Sequence, residues 1–327
     1  MRLLVLGGTR FVGRTVVAAA VSRGWTVTAL HRGVTPGLPA GAVELLADRT
    51  DRAALVAALG AGEWDAVVDT WAGAPWVATA AAEVLRGRVG RHGYVSTSGV
   101  YVWGEHVDET SPLVAGDPGA EQVEYGADKR GAELGVLASF PDALLARAGL
   151  ILGPYEDIGR LPWWLARVAA GGRVVAPGRP DRPLQLVDAR DLAGWLLDGL
   201  DAGLAGPVDV ISRSGHATTA ELLDACVRAT GSDAELVWVD EARLAAVGAE
   251  PWTHLPCWVP ESGEFAGFLE ADTSRAAATG LRCRPVAETV ADTWSWLRAS
   301  GPPAQRPDRA VHGLPVELER RLLEPAG

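Results

Sequence analysis

The chain has 327 residues, of which 48% are hydrophobic and 22% charged, and its formal net charge is −11. These values suit a globular protein of one large domain or two smaller ones. The negative charge argues against a nucleic-acid-binding surface, because Lys and Arg hold phosphate backbones. Three distant cysteines without metal-binding spacing predict free thiols, no metal site and a cytoplasmic location. The apolar runs are too short to predict a membrane span, and the start MRLLVLGG resembles a strand more than a signal peptide.

The first predicted strand, Leu3 to Leu6, leads into the sequence GGTRFVG, and a helical pattern follows from Arg14 to Arg23. A strand, a glycine turn and a helix in this order are typical of a dinucleotide-binding fingerprint, whose helix N-terminus presents free N–H groups to a pyrophosphate. The turn therefore predicts cofactor contacts from Gly7, Gly8, Thr9, Arg10, Phe11, Val12 and Gly13.

The second predicted strand, 25–30, is followed by His31 and Arg32 and by no acidic residue. An acid at this point holds the ribose hydroxyls of NAD, whereas an arginine receives the 2′-phosphate of NADP. The strand end therefore predicts that both residues contact the cofactor and that NADP is preferred over NAD. Further strands are expected at 43–47, 66–68, 93–96 and 143–146, alternating with helices. This alternation predicts a doubly wound, parallel α/β sheet.

The only lysine of the chain, Lys129, stands four residues after Tyr125 in the run YGADK. The two side chains share a face of the predicted helix Tyr125 to Ala138, because residues four apart are neighbours on a helix. An ammonium beside a phenol favours the phenolate, which makes Tyr125 a usable acid or base near neutral pH. The fifth strand ends in STSGVY, which places the hydroxyl of Thr97 at a strand end before that helix.

GGTRFVG, STSGVY and YGADK together resemble the extended short-chain dehydrogenases/reductases, in the group called the NAD-dependent epimerase/dehydratase family. Arg10 replaces the usual middle glycine of the turn and suggests an extra phosphate contact. The resemblance, over about residues 1–300, implies an NAD(P)-dependent homodimeric enzyme. Thr97 would orient the substrate, Tyr125 would exchange a proton with it, and Lys129 would assist Tyr125 and hold the nicotinamide ribose. It also implies cofactor contacts from Asp48, Arg49, Thr70, Trp71, Ser96, Tyr125, Lys129, Gly149 and Leu150.

The second half is richer in Gly, Pro and Trp and predicts a smaller C-terminal substrate-binding lobe. The dinucleotide-binding domain is expected at 1–152 with about 187–206, the lobe at 153–186 and 207–300, and a peripheral tail at 301–327. Ser98 and the lobe residues Trp163, Trp164 and Trp258 are candidates for contact with a small-molecule substrate.

Departures from the family pattern narrow the expected chemistry. Sugar-nucleotide dehydratases of the family carry Asp-Glu after the catalytic Thr, where this chain has Ser98 and Gly99. The family's Asn after the sixth strand is Leu150 here, which favours a fairly apolar or sugar-like substrate. The leading hypothesis is an oxidoreductase that reduces a carbonyl or oxidises the alcohol. The alternative is an epimerase of a sugar or sugar nucleotide that retains its cofactor. A non-catalytic RNA-binding relative is a third hypothesis, against which the Tyr–Lys pair and the negative charge count.

Overall fold

The computed structural model describes residues 1–35, 37–104, 107–265, 267–307 and 309–324. The strands in this part of the chain are β1 (Arg2–Leu6), β2 (Thr26–His31), β3 (Val43–Leu46), β4 (Trp64–Asp69), β5 (Val89–Thr97), β6 (Leu144–Ala148), β7 (Ile151–Leu152), β8 (Arg173–Pro177), β9 (Pro183–Leu184), β10 (Val187–Asp188), β11 (Gly206–Val210), β12 (Ala217–Thr218) and β13 (Glu235–Val239). The helices are α1 (Phe11–Ser22), α2 (Arg52–Leu59), α3 (Pro75–Leu85), α4 (Tyr125–Ser139), α5 (Arg160–Ala169), α6 (Ala189–Ala202), α7 (Thr219–Thr230), α8 (Glu241–Ala246), α9 (Ser274–Ala278), α10 (Val286–Ser300) and α11 (Val316–Leu323).

Seven parallel strands form the central sheet in the order β11-β6-β5-β4-β1-β2-β3. The order reverses between β1 and β4, which is the switch point of a doubly wound sheet, where the carboxyl ends of the strands open a crevice for ligands. The predicted Rossmann-type α/β fold is confirmed. The crevice lies where the glycine turn after β1 meets the ends of β4 and β5.

Both faces of the sheet are covered by helices, as the unbroken apolar runs of its strands require. Leu3 and Val5 of β1 pack on one side with residues of α1 and α6. Leu4 and Leu6 point to the other side and pack with α2 and α3. Since successive side chains of a strand alternate between faces, the four-residue run fills two cores. Among the described residues, no helix is both long and apolar enough to cross a membrane.

The C-terminal lobe contains two short two-stranded ladders, β8 with β13 and β9 with β12, and a third ladder, β7 with β10, lies where the lobe joins the dinucleotide-binding domain. Helices α5, α7 and α10 pack together in its core. Helix α11, from the segment predicted as a peripheral tail, belongs to the same core, since its Leu322 is buried. An ion pair of 2.8 Å between Arg167 on α5 and Glu319 on α11 also holds it there.

The structure moves one domain boundary. Strand β11 pairs with β6 and completes the central sheet, so the dinucleotide-binding domain continues to Val210, beyond the predicted limit at about 206. Ala276 of α9 also packs in the core of that domain, although residues 207–300 were expected to belong to the lobe. The sequence did not reveal β11, because a strand only five residues long carries little periodicity to identify it.

Candidate active site

The glycine turn has the shape that a dinucleotide-binding turn needs. Gly7 has a φ of +101°, which favours glycine. A Cβ on Gly13 would lie 1.8 Å from the carbonyl oxygen of Gly7, and one on Gly8 would lie 2.8 Å from the Cβ of Ala29. Helix α1 begins at Phe11, and no side chain of the described residues caps its first N–H groups. These groups fit the phosphates of a dinucleotide, because a helix N-terminus with free N–H donors attracts anions.

Arg10 immediately precedes α1, but its guanidinium already has protein partners. Its Nε donates a hydrogen bond of 2.8 Å to Oγ1 of Thr35. Its Nη1 lies 3.6 Å from a carboxylate oxygen of Asp157, a residue of the lobe. Together with Thr9 and Phe11, Arg10 lines a cavity of about 380 Å³ between the turn and residues 303–307, which belong to the C-terminal segment that follows α10. Asp157 therefore competes with a cofactor phosphate for the guanidinium of Arg10, whose phosphate contact stays a prediction.

The two residues predicted to select the cofactor differ in accessibility. His31 is buried, and its Nδ1 accepts a hydrogen bond of 3.1 Å from the N–H of Gly33. Its Nε2 lies 3.0 Å from a carboxylate oxygen of Glu44 on β3. Arg32 is exposed at the end of β2. Of the pair, Arg32 is therefore the side chain that can meet a phosphate from solvent.

Arg49 is committed to an ion pair inside the protein. Its guanidinium donates two hydrogen bonds, of 2.7 and 2.6 Å, to the carboxylate of Asp69 at the end of β4. Burial opposes ionisation of Asp69, yet Arg49 holds the pKa of that carboxyl below its usual value. Arg49 also stacks 5.2 Å from the ring centroid of Trp71. This ion pair gives Arg49 a structural role at the end of β4, and its predicted contact with the cofactor stays a prediction.

The other residues predicted at strand ends lie around the same crevice. Asp48 is exposed, and its carboxylate accepts hydrogen bonds from the N–H and hydroxyl of Thr50. Thr70 donates a hydrogen bond of 3.0 Å to the carbonyl of Leu6, which ties the end of β4 to the start of the glycine turn. Asp48 remains a candidate for contact with the cofactor because its side chain faces solvent.

Helix α4 begins at Tyr125, directly beside the loop that carries Thr97. Glu124 caps the helix by accepting hydrogen bonds from two N–H groups of its first turn. A Cβ on Gly126 would lie only 2.4 Å from the carbonyl oxygen of Gly99, so glycine allows the helix to reach this loop. A Cβ on Gly99 would lie 3.4 Å from Oγ1 of Thr97 and 3.9 Å from Cδ1 of Tyr125, so both side chains lie close to Gly99. The structure therefore brings the predicted catalytic hydroxyl and phenol to one place.

Tyr125, Lys129 and Glu133 follow one another along the same face of α4 and run from solvent into the core. Tyr125 is 43% exposed, Lys129 4% and Glu133 0%. Nζ of Lys129 donates hydrogen bonds to the main-chain carbonyls of Trp71 (2.5 Å) and Val95 (2.6 Å) and lies 4.6 Å from the ring centroid of Tyr94. Burial lowers the pKa of Lys129 to about 7, although nearby carboxylates oppose the change.

A buried polar network lies beneath this pair, and sequence reasoning missed it. Arg147 on β6 donates two hydrogen bonds of 2.9 Å to Glu133, and Ser96 donates one of 2.7 Å to the same carboxylate. Arg147 also donates to the hydroxyl of Tyr101, which donates to Asp209 at 2.7 Å. Burial raises the pKa of Asp209 to about 7. Ser96, predicted to contact the cofactor, thus points its hydroxyl inward and supports α4.

Two of the three tryptophans predicted to contact the substrate lie in the core of the lobe. Trp164 is 1% exposed and donates a hydrogen bond to the carbonyl of Pro256, and Trp258 is 3% exposed. Burial among apolar neighbours removes both from a ligand surface, so these two predictions are corrected. Trp163 is partly buried and packs against Gly313 of the C-terminal segment.

The segment after β6 also differs from the expectation. Leu150 is 2% exposed in the core of the lobe, so neither its predicted cofactor contact nor its use as a sign of an apolar substrate holds. A Cβ on Gly149 would lie 1.9 Å from Cδ1 of Ile211, so Gly149 serves close packing against the end of β11. Ser98 lies half-buried in the single 3₁₀ turn after β5, beside Thr97.

The C-terminal segment supplies functional candidates that the sequence did not identify. Nη1 of Arg306 lies 3.5 Å from Asp157. The guanidinium of Arg309 lies 5.6 Å from the ring centroid of Tyr125. A single sequence has no local signal for contacts between residues so far apart. In the described residues, no group of three or more His, Cys, Asp or Glu side chains is placed to hold a metal ion.

A doubly wound parallel sheet with this glycine turn and a Tyr–Lys pair on α4 defines an extended short-chain dehydrogenase/reductase. The chain belongs to the NAD dependent epimerase/dehydratase family, whose model matches residues 3–211, and this is a family of enzymes. Among curated proteins, none matches the sequence significantly.

Solved structures with the same fold cover nearly the whole chain. The Bordetella bronchiseptica enzyme WbmH in complex with NAD⁺ is 20% identical, with a TM-score of 0.69 over 92% of this chain and 99% of its own. A putative epimerase from Burkholderia cenocepacia is 23% identical, with a TM-score of 0.70 over 91% and 98%. The UDP-glucose 4-epimerase of Thermus thermophilus in complex with NAD is 21% identical, with a TM-score of 0.66 over 92% and 100%. These likenesses extend the shared fold to the lobe.

Proposed function

We propose that this enzyme is an NAD(P)-dependent oxidoreductase that reduces a carbonyl, or oxidises the corresponding alcohol, of a small metabolite. The observation that carries the proposal is the arrangement on α4. Its first residue, Tyr125, faces the crevice beside Thr97, and its buried Lys129 lies one turn below. The glycine turn lies at the same end of the sheet, because carboxyl ends of parallel strands meet at one edge.

In the mechanism, a bound nicotinamide dinucleotide supplies the hydride for the carbonyl carbon. Tyr125 donates its phenolic proton to the carbonyl oxygen as a general acid. Oγ1 of Thr97 accepts a hydrogen bond of 3.1 Å from the N–H of Gly99, which leaves its own proton to donate to the same oxygen. Protonated Lys129 stabilises the phenolate that remains after proton transfer.

The cofactor preference we propose is for NADP over NAD. Support comes from Arg32, which is exposed at the end of β2 and can pair with a 2′-phosphate. Titration of the purified protein with NADPH and NADH, followed by nicotinamide fluorescence, tests this. We expect Arg32→Ala to weaken NADPH about tenfold and to leave NADH unchanged. Arg86→Ala, an exposed arginine at the far end of α3, is the matched control.

The chemical step is tested by Tyr125→Phe in a screen of carbonyl substrates with NADPH. We expect kcat to fall about a hundredfold or more, since the variant lacks the general acid. The dissociation constant for NADPH should stay within about twofold, because the variant lacks only the phenolic hydroxyl. Turnover close to that of the wild type would contradict the proposed role of Tyr125.

An epimerase that uses the same residues is the second candidate. The family match and the epimerase folds among the similar structures support it, and the buried position of Leu150 removes an argument against a sugar nucleotide. In an epimerase, one substrate carbon is oxidised and reduced again. Protein purified with tightly bound NAD(H), and activity without net consumption of NAD(P)H, would favour this candidate over a reductase.

We further propose that the enzyme acts as a homodimer in the cytoplasm. The family resemblance supports a dimer through the layer of α3 and α4, which pack side by side on the sheet. The three cysteines are free, which suits a reducing compartment. Light scattering of the purified protein measures the oligomeric state, and a monomer at micromolar concentration would contradict the dimer.

A further inference from the structure

Asp69, the last residue of β4, is a fully buried carboxylate that the proposed mechanism does not use. It pairs in register with Tyr94 of β5, and paired residues of neighbouring strands point to the same face of a sheet. On that face Tyr94 packs with residues of α3 and α4, and Nζ of Lys129 lies 4.6 Å from the centroid of its ring. Asp69 therefore lies on the side of the sheet that α4 covers, next to the tyrosine that Lys129 contacts.

Two hydrogen bonds connect Asp69 to Lys129 through the main chain of Trp71. Oδ1 of Asp69 accepts a hydrogen bond of 2.9 Å from the N–H of Trp71. The carbonyl oxygen of Trp71 accepts hydrogen bonds from Nζ of Lys129 at 2.5 Å and from the hydroxyl of Tyr94 at 3.0 Å. A carbonyl oxygen has two lone pairs, and these two donors use both. The carboxylate of Asp69 therefore fixes the residue whose carbonyl receives the ammonium.

Arg49 keeps this carboxylate charged. Its guanidinium is also buried and donates two hydrogen bonds to Asp69, of 2.7 and 2.6 Å. Burial opposes ionisation of Asp69, yet this ion pair holds the pKa of its carboxyl below the usual value. His92, two residues before Tyr94 on β5, adds no charge at neutral pH, because burial lowers its pKa to about 4. Asp69 is thus an ionised acid throughout the neutral range.

Lys129 has several charged and titratable neighbours, and Asp69 is the acid that most favours its ammonium. Burial lowers the pKa of Lys129 to about 7, and Asp69 opposes this change more than Glu133 does. Glu133 forms ion pairs with Arg130 and Arg147, so two arginines offset its charge. The other described groups of this kind around Lys129 are Arg49, Arg309, Tyr94 and Tyr125.

We propose that Asp69 is a positioning residue of the reaction, which holds the Trp71 carbonyl in place for Lys129 and supplies the negative charge that keeps the ammonium protonated beside Tyr125. A charged ammonium stabilises the phenolate that Tyr125 becomes after proton transfer. Asp69 acts through Lys129 and is not itself a catalytic residue. This inference rests on the proposed function, in which Lys129 assists Tyr125, and adds a residue of β4 to the groups that serve the reaction.

The first test removes the charge of Asp69 and keeps a hydrogen-bond acceptor. In Asp69→Asn the amide oxygen can still accept the N–H of Trp71. Because Lys129 is the only lysine, the resonance of its ¹³C-labelled ε carbon reports its charge. We expect its titration to move to lower pH by about one pH unit or more, since an opposite charge is lost. The matched control is Asp65→Asn, which removes an exposed acid at the other end of β4 and should titrate as the wild type.

The direction of the change separates this role from a merely structural one. If Asp69 only held the fold together, its loss would let water reach Lys129, and the titration would move towards the ordinary lysine value of 10.5.

A double variant guards against misfolding, because Asp69→Asn leaves the guanidinium of Arg49 buried without its partner. Arg49→Met with Asp69→Asn replaces the ion pair by uncharged groups, a change that proteins commonly tolerate. Its titration should also move to lower pH, but by less than in the single variant, because the charge of Arg49 lowers the pKa of Lys129. Thermal unfolding shows which variants are folded.

The second test is the pH dependence of kcat for a carbonyl substrate. If the titration of Lys129 moves from about 7 to about 6, kcat of Asp69→Asn should be about tenfold below the wild type at pH 8. At pH 5.5 the ammonium is mostly charged in both proteins, so their kcat values should be nearly equal.

The outcomes separate this inference from the proposed function. If a folded Asp69→Asn or double variant titrates at or above the pH of the wild type, the inference is wrong and the proposed function stands. A loss of kcat that is the same at pH 5.5 and pH 8 likewise overturns the inference. If Asp69→Asn lowers the titration of Lys129 but Tyr125→Phe keeps normal turnover, the proposed function is wrong, and the role of Asp69 in the reaction falls with it.

Discussion

The ionisation of Lys129 can be measured directly, because it is the only lysine of the chain. Protein labelled with ¹³C at the ε carbon of lysine gives one resonance, which needs no assignment and reports the charge of Nζ. We expect this resonance to titrate near pH 7, rather than near the ordinary lysine value of 10.5. The experiment requires neither substrate nor cofactor.

The size of the change follows from the burial of the ammonium. Lys129 is 4% exposed, and the two carbonyls that accept its hydrogen bonds replace only part of its hydration. A pKa of about 7 instead of 10.5 means that folding disfavours the charged form by about 5 kcal/mol. Between these two pH values the unfolded chain binds more protons at this site than the folded protein. The contribution of Lys129 to stability therefore increases as pH rises through this window.

The variant Arg309→Ala tests the electrostatic part of the argument. The charge of Arg309 lowers the pKa of Lys129, so Arg309→Ala should raise it and move the titration to higher pH. Arg320→Ala, an exposed arginine on α11, is the control and should leave the titration unchanged. A resonance that titrates near 10.5 in the wild type would refute the reasoning, because it would show an ammonium that folding does not penalise.

Three further predictions follow from the close contacts of the site. Gly126→Ala would place a Cβ 2.4 Å from the carbonyl oxygen of Gly99 and push Tyr125 aside, so kcat should fall about a hundredfold. The control is Gly119→Ala, at an exposed position, which should leave kcat unchanged. Equal rates for both variants would contradict this. Gly13→Ala would place a Cβ 1.8 Å from the carbonyl oxygen of Gly7, so the dissociation constant for NADPH should rise at least about tenfold. A fluorescence titration that gives the same dissociation constant as the wild type would contradict this prediction. The raised pKa of Asp209 makes the wild type lose stability as pH rises towards 7. The free energy of unfolding of Asp209→Asn, relative to that of the wild type, should therefore increase by about 2 kcal/mol between pH 5.5 and 8. A difference in melting temperature between Asp209→Asn and the wild type that stays the same at every pH would contradict this prediction.

Much of the candidate site could be predicted because its signals are local. The glycine turn after β1 and the four-residue spacing from Tyr125 to Lys129 depend on short-range geometry alone. Strand limits were less accurate. Strand β5 starts at Val89, not at Gly93, because its first residues include His92, a polar side chain that the fold buries against Phe140.

The predictions that failed concern the surroundings of a side chain. Trp164 and Leu150 were predicted to contact ligands, and both lie in the core of the lobe. Ser96 was predicted to contact the cofactor and bonds instead to Glu133. A residue type gives its chemistry, but the segment packed against it decides whether a ligand can reach it.

The sequence by itself determined the parallel sheet, the turn that begins α1 and the Tyr125–Lys129 pair, because each depends on periodicity or spacing over a few residues. Only the tertiary structure decided that Arg49 pairs with Asp69, that Lys129 is buried, and that Arg309 lies over the ring of Tyr125. These three features join segments distant in the chain. Their energies come from burial and Coulomb interaction, which are fixed only once the segments have packed.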